Sequence, residues 1–82
     1  MLNKRSYIMT KIPKRGLNQI KEVLENKGIS QTWLANRLGK SFSMVNAYVC
    51  NRRQPTLEIL YQIAEILHVS VKDLLTENIE NK

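Results

Sequence analysis

The sequence predicts an all-α fold, a compact five-helix bundle, and three observations carry that prediction. Apolar residues recur at i, i+3, i+4 and i+7 in successive windows along most of the chain. A serine, threonine or glycine stands at the boundaries between those windows, where helices start and stop. The one β-branched cluster, Val69 and Val71, is too short to suggest a strand.

Each element follows from its own residues. Leu17, Ile20 and Leu24, widened by Val23, give the first helix its apolar stripe, and Gly28 can take the left-handed conformation that ends it. Ile29 then turns into the core and Ser30 caps a second helix with Leu34, Ala35 and Leu38 on its buried face. Gly39 terminates that helix, and Ser41 caps a third running through Met44, Val45, Tyr48 and Val49. Asn51 to Pro55 reads as a polar loop. Thr56 caps a fourth helix whose apolar face is Leu57, Leu60, Tyr61, Ala64 and Leu67, with Ile63 beside them. Ser70 and Asp73 form a capping-box pattern ahead of Leu74 and Leu75, the expected fifth helix.

The organisation expected from this pattern has three parts. Residues 1–15 contain Pro13, five basic residues and no acidic ones, and their apolar residues keep no period, so they read as a basic flexible arm. Such an arm either touches phosphates or is an unstructured leader. Residues 16–76 form the helical domain, and residues 77–82 a polar tail that frays.

Eighty-two residues allow one small domain, which buries only about 60–65% of its unfolded surface and gains from efficient helix packing or from dimerisation. A lone cysteine, Cys50, excludes an intramolecular disulfide and a multi-cysteine metal site. No apolar run approaches the roughly 18 residues of a membrane helix, and a reducing cytoplasm is the expected compartment. One histidine, scattered carboxylates and no glycine-rich phosphate loop leave no catalytic constellation, so no enzyme, cofactor or metal is expected.

The formal charge of +6 is unevenly placed. Residues 1–53 carry Lys4, Arg5, Lys11, Lys14, Arg15, Lys21, Lys27, Arg37, Lys40, Arg52 and Arg53 against Glu22 and Glu25, a net +9. Residues 54–82 carry Lys72 and Lys82 against Glu58, Glu65, Asp73, Glu77 and Glu80, a net −3. A basic half beside an acidic half suits a face for a polyanion, although a solvated surface with a basic tail would read the same way.

Gln31 to Tyr48 reads as two short helices joined by a tight turn. Ala35 stands where the second helix of the pair must cross closely, and Gly39 where the bend needs a positive φ. Leu34, Leu38, Val45 and Tyr48 face the common core, which leaves Phe42, Ser43, Asn46, Ala47 and Cys50 on an outward strip. An ordinary helical hairpin would share the periodicity, but not the joint placement of Ala35, Gly39, Val45 and Tyr48.

With these residues the chain resembles the Cro and phage-repressor type of helix-turn-helix family, also called XRE-like. The resemblance covers about Leu17 to Leu75, including Ile29-Ser30-Gln31, Asn51-Arg52-Arg53-Gln54-Pro55-Thr56-Leu57 and the run from Leu60 to Leu75. It implies a five-helix bundle of the lambda-repressor-like DNA-binding type, with the motif at residues 31–50 and the helix at about 42–50 as the recognition helix in the major groove. By position, Ser41, Phe42, Ser43, Asn46 and Ala47 are the residues implied to contact bases. Gln31, Lys40, Arg52, Arg53 and Gln54 are those implied to contact the DNA backbone. The chain departs from better-known members in carrying Phe42 and Ala47 where glutamines often read adenines. These two either contact thymine methyls or, for Phe42, tuck against the core.

Four single residues have plainer readings. Trp33 covers part of its helix or lies at the phosphate boundary; Met44 packs in the core or touches sugars. Cys50 reads as an inert small residue and His68 as a surface histidine.

The function expected is sequence-specific double-stranded DNA binding by a small transcriptional regulator, repressor rather than activator, acting as a homodimer on inverted half-sites. It would be prokaryotic or phage-encoded and nucleoid-associated. Tyr61, Ile66, Leu75 and Ile79 are candidate dimer contacts. The alternative is an antitoxin-like protein-interaction module with secondary DNA binding.

Overall fold

The computed structural model describes residues 16–77. Within them the chain forms α1 (Ile20–Lys27), α2 (Gln31–Leu38), α3 (Phe42–Val49) and α4 (Leu57–Leu67), followed by a short 3-10 helix (Val71–Leu74). The expected residues 1–15 arm, and positions 78–82 of the expected tail, lie outside the described residues.

Hydroxyl caps set where α2, α3 and α4 begin. Ser30 Oγ accepts from the Trp33 N–H at 3.0 Å, Ser41 Oγ from Met44 N–H at 3.1 Å, and Thr56 Oγ1 from Ile59 N–H at 3.2 Å. Each satisfies one of the first-turn amides that a helix cannot bond internally. The helix ends are closed by left-handed residues: Gly28 after α1, Gly39 after α2 and, without a glycine, His68 after α4. At Gly39 the reversal is sharp because the next amide, Lys40 N–H, bonds back to Ala35 O at 3.1 Å.

The core is one cluster to which every helix contributes. Ile20 and Leu24 come from α1, Leu34 and Ala35 from α2, Val45, Tyr48 and Val49 from α3, Leu60, Ile63, Ala64 and Leu67 from α4, and Leu74 from the 3-10 helix. Val23, Ile29, Leu38, Met44, Ile66, Val69 and Val71 pack against it from partly exposed positions. The most extensive helix contact is that of α2 with α3; α4 packs on α2 and the 3-10 helix, and α1 on α3 and the 3-10 helix.

The expected five-helix bundle is therefore corrected to four α-helices and a 3-10 turn. Ser70 and Asp73 do cap the fifth segment, the carboxylate accepting from Ser70 N–H at 3.1 Å and from Ser70 Oγ at 3.0 Å. Leu75, however, is extended and pairs antiparallel with Asn18, so the segment stops after four residues. Gln19 N–H donates to Leu74 O at 2.8 Å and Thr76 N–H to Leu17 O at 2.9 Å. The same pairing holds Leu17 to Gln19 out of α1, which starts at Ile20 instead of Leu17, and leaves Leu17 47% exposed.

On α4 the buried face is narrower than its apolar residues suggest. Leu60, Ile63, Ala64 and Leu67 are buried, whereas Leu57 and Tyr61 are 68% and 61% exposed. No helix among the described residues is long and apolar enough to cross a membrane.

Candidate nucleic-acid interface

Ala35 is buried on α2, and Gly39, at φ +71°, lets the chain reverse into α3. Val45, Tyr48 and Val49 turn α3 inward; Met44 is partly buried against the same core. Phe42, Ser43 and Cys50 are exposed and Asn46 and Ala47 half-buried, so the outward strip of α3 is the one its sequence spacing predicts. Phe42 is 51% exposed, which leaves its ring outside the core.

A polar ridge crosses this strip. Asn46 Nδ2 donates to Gln31 Oε1 at 2.9 Å, and Arg52 Nη2 donates to Asn46 Oδ1 at 3.0 Å. The first residue of α2, the middle of α3 and the loop after α3 are thereby linked through one side-chain amide. Arg52 uses one of its five N–H donors in this contact. The loop itself is shaped by the end of α3: Arg52 and Arg53 N–H both bond to Ala47 O, at 2.9 and 3.2 Å, and both side chains are exposed. A cation beside a helix C-terminus is favoured by the helix dipole. Among the described residues no lysine or arginine is paired with a carboxylate. Lys40 sits half-buried in the turn, and Ser41 is exposed, its hydroxyl holding Met44 N–H.

A second polar cluster fixes the far end of α3. Asn18 is 3% exposed, yet both ends of its amide are bonded. Nδ2 donates to Tyr48 O at 3.0 Å and to Gln54 Oε1 at 2.9 Å, while Oδ1 accepts from Ile20 N–H at 3.0 Å. Asn51, held at φ +62°, reaches back with Oδ1 to the Leu17 and Asn18 amides, both at 3.0 Å, and donates through Nδ2 to Asn18 O at 2.9 Å. Gln54 Nε2 closes the ring on Asn51 Oδ1 at 2.9 Å. Gly16 lies against the Asn51 amide, where a β-carbon would collide with it.

Comparison with known proteins decides what this arrangement is. A family model described as helix-turn-helix matches residues 20–74, two-thirds of the chain. The chain belongs to the XRE/Cro-type helix-turn-helix family. Seven solved chains match it. One, the crystal structure of a candidate DNA-binding protein from Bacteroides fragilis, is 38% identical with a TM-score of 0.72, covering 73% of this chain and 97% of its own. None of the curated proteins matches.

This helix-turn-helix is a non-catalytic DNA-binding domain. Among the described residues no group of three histidines, cysteines or carboxylates could hold a metal ion. Of the residues expected at the interface, Gln31, Asn46 and Arg52 are brought together into one ridge. Ser41, Phe42, Ser43 and Ala47 share the turn and outward strip. Lys40 and Arg53 flank these, and Gln54 sits in the second cluster with both ends of its amide engaged. Trp33 is exposed on α2 and carries the Arg37 guanidinium over its ring, 4.9 Å from the centroid. Sequence reasoning missed Asn18 and the structural role of Asn51. The one available signal for the second was its position after α3, where an asparagine can stand in for a left-handed glycine.

Proposed function

We propose that this protein is a sequence-specific transcriptional regulator that lays α3 in the major groove of a short duplex operator and represses by occupancy. The observation that carries this reading is the ridge from Gln31 through Asn46 to Arg52 beside an outward strip of small and apolar side chains. Gln31 and Arg52 bond phosphates on either side of the groove, with Lys40 and Arg53 adding charge. Phe42, Ser43 and Ala47 approach base edges, and Ser41 sets the angle at which α3 enters. Asn46, its amide already engaged at both ends, works by positioning Gln31 and Arg52, and Gln54 by holding the loop.

One eight-residue helix spans few base pairs, so a homodimer on inverted half-sites belongs to the same proposal. Exposed Tyr61 and Leu75 and half-buried Ile66 are its candidate contacts, while Ile79 lies outside the described residues.

Duplex binding measured across salt concentrations tests the reading. The slope of log affinity against log salt should flatten by about 1.8 in the Arg52→Ala, Arg53→Ala double variant if each arginine meets one phosphate. An unchanged slope would remove the loop from the interface. The exposed Leu57 and Tyr61 on α4 favour a second reading, an antitoxin-like module whose first partner is a protein. Indifference to duplex at low salt would favour that one.

A further inference from the structure

We infer that α3 reads its operator through thymine methyl groups, with Phe42 as the principal reader and Ala47 as the second. The inference rests on the DNA-binding reading above and names the chemistry that the strip recognises.

It follows from which side chains on α3 remain able to discriminate bases. Bidentate readout of guanine or adenine needs an arginine, lysine, asparagine or glutamine. Between Phe42 and Cys50 the only such residue is Asn46. Its donor end is on Gln31 and its acceptor end on Arg52, at 2.9 and 3.0 Å. Turning that amide to a base would release both partners together. Ser43 is exposed, and a rotating hydroxyl that either donates or accepts is permissive towards every base.

What remains is apolar. The Phe42 ring is half exposed at the start of α3, on the strip and outside the core, although burying it would remove a large apolar surface from water. Ala47 lies five residues further, about 7.5 Å along the helix axis. The apolar group that standard bases present in the major groove is the thymine C5-methyl. The ring and the methyl, about 140° apart around the helix, stand at opposite edges of the strip, so each meets a thymine of its own and discriminates it from cytosine by contact instead of by hydrogen bonding. Each buried methyl contributes roughly fourfold in affinity.

The test uses the full chain and a duplex recovered by selection from a random library, prepared with thymine or with deoxyuridine in its place. Uracil keeps every hydrogen-bonding edge and lacks only the methyl. The wild-type chain is expected to bind the thymine duplex roughly four- to fifteenfold more tightly. Phe42→Ala, which alters an exposed side chain, is expected to weaken the thymine duplex about fourfold more than the uracil duplex and so to lose most of that ratio. Asn46→Ala is expected to weaken both duplexes and leave the ratio intact. Equal wild-type binding to both duplexes, with random duplex bound more weakly, would overturn methyl readout and leave sequence-specific binding standing. A ratio unchanged in Phe42→Ala would overturn the assignment to this ring. Selection that enriches no sequence would sink this inference and the specific-regulator reading together.

Discussion

The Asn46 amide donates to Gln31 Oε1 at 2.9 Å, joining the middle of α3 to the first residue of α2 across the helix-turn-helix. Because the same amide accepts from Arg52, one half-buried side chain sets the geometry of two others. Both of those are polar groups at the border of the outward strip, where a phosphate would approach. In Asn46→Ala neither partner loses its own donors to a phosphate, but both lose the hydrogen bond that orients them. The expected loss is about 1–2 kcal/mol of binding, roughly five- to thirtyfold in Kd. It should be nearly the same for selected and random duplex, because phosphate contacts carry no sequence information directly. Fluorescence anisotropy on both duplexes checks this, and a loss confined to the selected site would make Asn46 a base reader after all.

The clamp between Gly16 and Asn51 has a consequence for the basic residues that precede it. It brings the chain into the domain beside the end of α3, next to the loop that carries Arg52 and Arg53. Deleting residues 2–14 removes Lys4, Arg5, Lys11 and Lys14 while sparing Gly16. If two of them meet phosphates, the salt slope falls by about 1.8. A truncated chain with the full slope would show that this segment does not join the interface.

Asn18 is expected to be the most sensitive polar residue in the domain. Asn18→Ala leaves Ile20 N–H without its partner in a buried setting, takes one of two donors from Tyr48 O, which keeps Asn51 N–H at 3.1 Å, and frees Gln54. The cost is about 2–4 kcal/mol, a large part of the stability of a domain this small. Urea unfolding followed by circular dichroism measures it directly. Asn51→Gly keeps the left-handed backbone and deletes only the side-chain clamp, so it should cost less than Asn18→Ala. A near-neutral Asn18→Ala would mean that water replaces the amide at little expense.

The contrast between these residues explains what could be read in advance. Ser30, Ser41, Thr56, Ala35 and Gly39 act on neighbours within one or two helical turns, so their roles lie in local spacing. Asn18 acts on Tyr48, Asn51 and Gln54, about thirty or more positions away, and by local pattern it is one more polar residue at a helix start. The fifth segment failed as a helix for the same kind of reason. Its cap was legible in Ser70 and Asp73, but the demand that Asn18 makes on Leu75 was not. On α4, apolar residues lie almost all round the helix, and only the placement of α2 and the 3-10 helix decides that Leu57 and Tyr61 face outward. On α3, the spacing agrees with the exposure of Phe42, Ser43 and Cys50. The hydrogen bonds of Asn46 to Gln31 and Arg52 join two helices and a loop, and no spacing rule contains them.

His68 ends α4 in the conformation that Gly39 adopts after α2, with φ +60° against +71°. The hydrogen bonds match as well: His68 N–H donates to Glu65 O at 3.2 Å and Val69 N–H to Ala64 O at 3.0 Å. Left-handed backbone costs a residue with a β-carbon roughly 1–2 kcal/mol. Glycine would relieve that strain but would return part of the gain, about 0.4–1 kcal/mol, to the unfolded chain as entropy. His68→Gly should therefore stabilise the domain by about 0.5–1 kcal/mol, which in a domain of this length raises Tm by roughly 3–6 °C. The side chain is exposed and forms none of the bonds described above, so DNA affinity should not change. Gly39→Ala is the matching control. Nothing lies within 4 Å of the β-carbon it would add, so the same two contributions, strain less unfolded-chain entropy, should destabilise it by about 0.5–1 kcal/mol. Thermal melts of both variants check the pair, and a His68→Gly protein that melts at or below the wild-type temperature would show that the imidazole stabilises this cap by more than the strain it carries.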